Sequence, residues 1–225
     1  ASRGKASSVQ DYLTAQSANP HSERGGYCMI TVIIRTLGRP TLSNAVKSAQ
    51  REFGKENVLV LFDGDEAKSR SGISCYNEYI IPKTPDVYGS MLLNVGAALT
   101  KTEYFTILDD DDEFVEGAGS YMKSFLTRNP KVDIAIPGLK FNTGMVLCDS
   151  SARGLAIGNV ACPTYRRSLT SKVPFDTNLP EGGDNYHDAF HLMKCEAAGA
   201  KIAWYEKVLI NVRPELAGTN GRGNL

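Results

Sequence analysis

No stretch of this 225-residue chain approaches the roughly 20 consecutive apolar residues that span a bilayer. The opening ASRGKASS lacks the apolar core of a secretory signal. Charge of one sign is missing too. Twenty-five Lys and Arg cancel twenty-five Asp and Glu, which removes the electrostatic case for nucleic acid or an anionic membrane as partner. The five cysteines (Cys28, Cys75, Cys148, Cys162, Cys195) are odd in number, scattered and without a CxxC pair, so neither a zinc ribbon nor a disulfide framework is indicated. Reduced thiols point to a cytoplasmic compartment. There is no internal repeat, and the length suits one sizeable α/β domain better than two full ones.

What is present alternates. Residues 1–27 form a polar, small-residue-rich N-terminal extension with room for one short helix near 9–15. From Tyr27 the texture changes. Met29 to Ile34 reads as a β-branched strand, followed by the breaker-rich Gly38-Arg39-Pro40. Thr41 is placed to N-cap a helix reaching Phe53, with Leu42, Ala45, Val46 and Ala49 on one face. Val58 to Phe62 is a second buried strand ending in Asp63-Gly64-Asp65. Helices are expected over 91–99, 117–127 and 185–198, the last with Gly199 as C-cap. Strands are expected over 132–136, 145–148, 157–160, 202–204 and 208–212. Strand–helix alternation predicts βαβ units, a mostly parallel central sheet flanked by helices, and ligands beyond the carboxyl ends of its strands.

The densest signal lies at one such end. Behind the apolar run Tyr104 to Leu108 stand four consecutive carboxylates, Asp109, Asp110, Asp111 and Asp112. Four crowded like charges repel, and a bound divalent cation taking carboxylate oxygens is a direct way to offset this. A solvated acidic loop or a helix N-terminus tolerating anions is the competing account.

Taken in order, MITVIIRTLGRPTLSNAVKS, VLVLFDGDE, YFTILDDDDEF and IGNVACPTYRRSL…VPFDTNLPEGGDNYHDAFHLMKCEAAGAKIAW resemble the successive motifs of the family 2 glycosyltransferases of the GT-A fold. The resemblance covers roughly residues 29–213. It implies a GT-A domain over 28–213, with a nucleotide-binding half (28–112), an acceptor-side half (113–213) and a flexible tail (214–225). It also implies inverting transfer of a sugar from a nucleotide-sugar, UDP-sugar preferred, to an acceptor hydroxyl such as that of a glycan, with Mn²⁺ or Mg²⁺ as cofactor. Asp109 and Asp111 match the outer positions of the DxD signature. Asp111 is implied as the first metal ligand, Asp109 as a ribose, donor-sugar or metal contact, and Asp112 as a further ligand. Asp110 fills the variable position on the donor side. Thr36 and Arg39 fall where the family contacts the nucleotide base, and Asp63, with Asp65 as substitute, where it reads uracil. The usual paired acids of that turn are reduced to one, because Phe62 precedes Asp63. Asn94 and Gly96 match a donor-side helix, but Leu93 stands where an arginine is usual.

Counting back six residues from Lys194 places the implied general base at Asp188, preceded by His187 where the family has Glu. Asp184, one turn earlier, is the rival, and is equally a helix cap after Gly182-Gly183. His187, Arg166 and Arg213 are implied as acceptor or phosphate contacts, and Arg222 as a diphosphate contact. The tail reads as a lid over the donor or the start of a linker. The pattern His187-Asp188-x-x-His191 also resembles HExxH, so a zinc-dependent hydrolase competes. Against it, His191 reads as an ordinary partly exposed helical residue, with Ala189, Phe190, Met193 and Ala197 as the helix's apolar face. A nucleotidyltransferase and a non-catalytic nucleotide- or Ca²⁺-binding domain compete as well.

Overall fold

In the computed structural model the described residues are 29–83, 89–148, 162–177 and 187–212. The strands are β1 (Ile30–Thr36), β2 (Val58–Asp63), β3 (Glu78–Ile81), β4 (Tyr104–Asp109), β5 (Glu113–Phe114), β6 (Ile134–Phe141), β7 (Val146–Leu147), β8 (Thr164–Arg166) and β9 (Ile202–Val212). The helices are α1 (Leu42–Phe53), α2 (Asp65–Ser71), α3 (Ser90–Leu99), α4 (Ala118–Arg128), α5 (Arg167–Thr170) and α6 (His187–Ala197). The expected strand over 157–160 lies outside the described residues.

One sheet runs β3-β2-β1-β4-β8-β6-β9-β5, with β7 pairing β6. Its first four strands are parallel. β8 then runs antiparallel to both β4 and β6, and β6 pairs β9 in parallel. Since side chains alternate between the faces of a strand, β1 divides its residues between two cores. Ile30, Val32 and Ile34 join Leu42, Val46, Met122 and Leu126 beneath α1 and α4. Ile33 joins Leu92, Leu93, Ile107, Tyr165 and Leu192 beneath α3 and α6. Strands covered on both faces need near-continuous apolar sequence, which is why 30–34 and 58–62 read so plainly.

The structure corrects several expectations. Thr41 is already helical (φ −69°, ψ −21°), makes no side-chain cap, and its hydroxyl has no hydrogen-bond partner among the described residues. A turn over 39–42, closed by Leu42 N–H donating to Arg39 O at 3.2 Å, leads into the helix, and Pro40 takes its second position, which the fixed φ of proline suits. The two strands expected over 202–212 are one, bent where Glu206 takes a φ of 53° and two steps along β6 face four along β9. Such a bulge breaks the alternation that strand reading relies on. The α6 stripe is also rotated from expectation. Phe190 and Met193 are exposed, whereas Ala189, His191, Leu192 and Cys195 are buried. Gly199 does close the helix, at φ 85°, with Gly199 N–H donating to Glu196 O (2.9 Å) and Ala200 N–H to Cys195 O (3.0 Å), a Schellman motif.

Gly38 sets the geometry of the turn after β1. At φ +80° a Cβ there would sit 2.1 Å from the backbone oxygen of Ala67. Gly38→Ala is therefore expected to lower stability by at least about 2–3 kcal/mol, through backbone strain and overlap together, read as a shift in the denaturant midpoint at unchanged slope.

Candidate functional site at the ends of β1 and β4

Pairing between β1 and β4 puts Arg35 directly beside Asp109. Ile33 and Ile107, two residues earlier on each strand, belong to the α3/α6 core. Arg35 and Asp109 therefore emerge on that face, and Thr36 and Asp110 on the other. The contacts follow this division. Arg35 Nε donates to Asp109 Oδ1 at 3.1 Å. The Thr36 hydroxyl donates to Asp110 Oδ2 at 2.6 Å and accepts from Gly38 N–H at 2.8 Å. Arg39 Nη1 bridges Asp110 Oδ1 (3.1 Å) and Asp111 Oδ2 (3.3 Å). Asp112 N–H donates to Asp109 O (3.1 Å), closing a turn, and the Cys162 thiol approaches Asp112 Oδ2 at 3.6 Å.

Much of the repulsion anticipated within the tetrad is thus met by the chain's own groups. Two arginines face four carboxylates, so a formal excess of two negative charges remains. Its signature is at Asp111, whose pKa is raised to about 6, first by burial and then by Asp109 and Asp110, with Arg39 opposing. Burial also pushes Asp110 up, again against Arg39. For Arg35, burial opposes the charge, but Asp109 and Asp188 hold its pKa above the ordinary arginine value.

Ligand atoms of Asp109, Asp112 and Cys162 lie within 4.8 Å of one another. Burial, followed by Asp112 and Asp109, keeps the Cys162 thiol protonated far beyond its usual pKa. Its proton serves Asp112, and a thiol is a poor ligand until it is deprotonated. With the thiol spent on Asp112, the donors that remain are carboxylate oxygens, of which those of Asp109 are the most solvent-open. That hard-oxygen set, short of positive charge, fits Mg²⁺ or Mn²⁺.

Asp188 is on the first turn of α6, above the same face as Arg35. Its charge also reaches the buried Tyr165 hydroxyl, which has no hydrogen-bond partner among the described residues and whose pKa is raised chiefly by burial and next by Asp188. Asp63 ends β2, while Asp65 is exposed in the first turn of α2.

Other expected residues have different employment. Asn94 holds the backbone of Phe175 from both sides, Nδ2 to Phe175 O (2.9 Å) and Phe175 N–H to Oδ1 (2.8 Å). Arg166 is not at the site. It pairs with Tyr104, at the opposite end of β4 from Asp109, and binds Glu103 and Asp133 there. The short β8 is antiparallel, so its Arg points away from the carboxyl ends. His191 is buried rather than partly exposed, stacked 4.0 Å from the Phe175 ring with its Nε2 3.5 Å from Cys195 Sγ. This removes it from a solvent-facing zinc pair. Asp184, Arg213, Arg222 and the His187 side chain lie outside the described residues. Arg35 and Cys162 were missed from the sequence. The available signal was the charge itself: an arginine in a doubly covered strand requires a buried partner.

No protein-family profile and no curated protein sequence matches the chain. Solved structures do. S. aureus TarS 1–349 superposes with a TM-score of 0.62 at 16% identity, covering 84% of this chain and 61% of that one. It has also been crystallised with UDP-GlcNAc. Glucosyl-3-phosphoglycerate synthase from Mycobacterium tuberculosis, with Mg²⁺ and UDP, gives 0.57 at 14% identity over 93% of this chain and 75% of that one. A mannosyltransferase from Pyrobaculum calidifontis, with GDP-Man and Mn²⁺, gives 0.56 at 12% identity over 86% and 60%. The chain spans about three-fifths of the TarS fragment's length. At these identities the likeness speaks to architecture: the chain has the GT-A fold.

Proposed function

We propose that this protein is a metal-dependent, inverting glycosyltransferase of the hexosyltransferase type. It moves a sugar from a nucleotide-sugar, a UDP-sugar by preference, to an acceptor hydroxyl on a glycan. The observation that carries the reading is the shared face of β1, β4 and α6, which sets Arg35 and its hydrogen-bonded partner Asp109, at the head of the acidic turn, under the helix whose first turn holds Asp188. Neighbours of the same fold crystallise with UDP, UDP-GlcNAc or GDP-Man and with Mg²⁺ or Mn²⁺, which supports the donor class and leaves the base to experiment.

Asp111 and Asp109 would hold the cation, with Asp112 supporting the turn and available as a further ligand. When bound, the cation neutralises charge on the departing diphosphate. The chain's own residues do the rest. Asp63, with Asp65 beside it, reads the base edge at the end of β2. Arg39 and Thr36 fix Asp110 and Asp111 so that the turn is formed before donor arrives. Asp188 takes the acceptor hydroxyl proton as that oxygen bonds to the anomeric carbon and the bond to phosphate oxygen breaks on the opposite side, inverting the centre.

Calorimetric titration with UDP, GDP and dTDP, each with and without Mn²⁺, tests this. One nucleotide is expected to bind at micromolar or tighter affinity only when metal is present. If none binds with metal, the reading fails.

A further inference from the structure

We propose that Asn94 is a positioning residue: through the strap 173–176 it fastens α6, the helix whose first turn holds Asp188, to the sheet that carries the acidic turn. The role of Asp188 rests on the glycosyltransferase reading; the fastening itself does not. Its anchor is α3. A Cβ on Gly96 would come 2.8 Å from the Ile33 side chain and 3.0 Å from that of Leu61, so this helix lies directly on β1 and β2 and carries Asn94 with it. Beyond α5 the strap forms neither helix nor strand, and buried backbone there must find its partners elsewhere. Asn94 supplies them for Phe175, which is 3% exposed. The Asn94 Nδ2 donates to Phe175 O at 2.9 Å, and its Oδ1 accepts from Phe175 N–H at 2.8 Å. A side-chain amide, donor and acceptor side by side, matches a backbone N–H and C=O together.

Phe175 passes the restraint on to α6. Its ring stacks on that of His191, with centroids 4.0 Å apart and planes at 25°, and meets Tyr165 of β8 edge-on at 5.4 Å and 83°. His191 in turn meets Tyr165 at 5.4 Å and Cys195 at 3.5 Å, with Leu192 in the same core. Such ring pairs favour a fixed relative orientation beyond the area they bury. One residue on, Asp176 pairs with Lys194 at 2.7 Å; both side chains are exposed, so this surface pair adds little. Asp188 stands one turn before His191 on α6. An unbroken series of contacts therefore runs from β1 and β2 through Gly96, Asn94, Phe175 and His191 to the helix that bears Asp188. The effect of Asn94 thus falls on the base side, where a displacement of about 1 Å can cost a hundredfold in rate.

Amide exchange and the His191 ring resonances are followed in metal-free wild type, Asn94→Ala, Asn94→Asp and Phe175→Leu. Losing both bonds in Asn94→Ala is expected to speed exchange across α6 about tenfold or more, with α1 and β1 changed less than about threefold. The His191 ring protons should lose the upfield shift that the stacked Phe175 ring imposes, a signature that a uniform loss of stability leaves in place. Asn94→Asp keeps the size and the acceptor but sets a second carboxylate oxygen against Phe175 O. It should behave like Asn94→Ala, and it carries the test if the alanine variant does not fold. In a Phe175→Leu background Asn94→Ala should speed α6 exchange by less than about threefold further, because contacts in series are not additive. With Mn²⁺, calorimetric affinity for UDP or GDP should stay within about threefold of wild type, while kcat for diphosphate release from UDP-GlcNAc or GDP-Man falls about 10- to 100-fold. Unchanged α6 exchange and His191 shifts in the Asn94 variants overturn the proposal. So does nucleotide affinity that falls in step with kcat, which would return Asn94 to the donor site. If wild type binds neither nucleotide while α6 loosens and the stack is lost as expected, the fastening stands and the glycosyltransferase reading alone falls.

Discussion

Replacing Asp188 with asparagine is expected to lower turnover by about two to four orders of magnitude, the usual range for loss of a positioned general base. Metal-dependent nucleotide binding should stay within about threefold of wild type, because the residue acts on the acceptor side and belongs to the transition state rather than to donor binding. The asparagine keeps size and polarity and removes only the ability to take a proton. Stability should fall by only about 1 kcal/mol, since Asp188 is partly exposed on a first helical turn, where its charge favours the helix N-terminus and helps keep the buried Arg35 charged. The measurement is nucleoside diphosphate release under saturating nucleotide-sugar, set beside calorimetric affinity for the same nucleotide. Parallel losses in both would show that Asp188 builds the donor site instead. Full turnover would return attention to Asp184.

Asp111→Asn should separate stability from function in opposite directions. The folded-state pKa of Asp111, about 6, lies above the ordinary value of 3.8, so the folded protein binds this proton more tightly than the unfolded chain does. Stability from this group is therefore lost, not gained, as pH rises: the penalty is absent below about pH 4, grows between about 4 and 6, and is fully present at neutral pH. Two units correspond to about 3 kcal/mol, of which part is relieved by local relaxation. The metal-free variant is thus expected to melt about 5–10 °C above wild type at pH 7.5, with the two converging near pH 4. Manganese-dependent nucleotide binding should fall by at least about a hundredfold, because the variant loses a charged ligand. Conversely, Mn²⁺ should stabilise wild type far more than the variant. A variant that melts lower than wild type at neutral pH without metal would mean that the Arg39 ion pair outweighs the strain.

How much of this was legible depended on whether a residue's environment is local. β1, β2 and β4, with α1, α3 and α4 between and after them, came from runs and stripes that each element carries by itself. β3 was missed because Glu78–Ile81 is a half-exposed edge with no strict alternation. β8 was missed because three residues make too short a pattern, and its identity comes from pairing with β4 and β6. At the site, the Asp tetrad was visible as composition, but its division between two faces was not. That division depends on the register against β1, a long-range fact. Likewise nothing near Cys162 in sequence announces that its thiol closes on Asp112, fifty residues away. The α6 stripe went wrong because a histidine and a cysteine, both usable as core residues, fill positions that Phe190 and Met193 were expected to take.

The pairing of Arg35 with Asp109, and of Thr36 with Asp110, also bears on which insertions and deletions the gene can tolerate. Losing one residue between Tyr104 and Asp109 would leave β4 just as hydrophobic, yet every acid would change sides. The carboxylate due at Arg35 would face Thr36's side, and its neighbour would face the helix carrying Asp188. Losing two would restore the sides and merely shorten the strand. Along this stretch the number of residues has a parity, odd or even, that selection should guard more closely than the identity of any single apolar side chain.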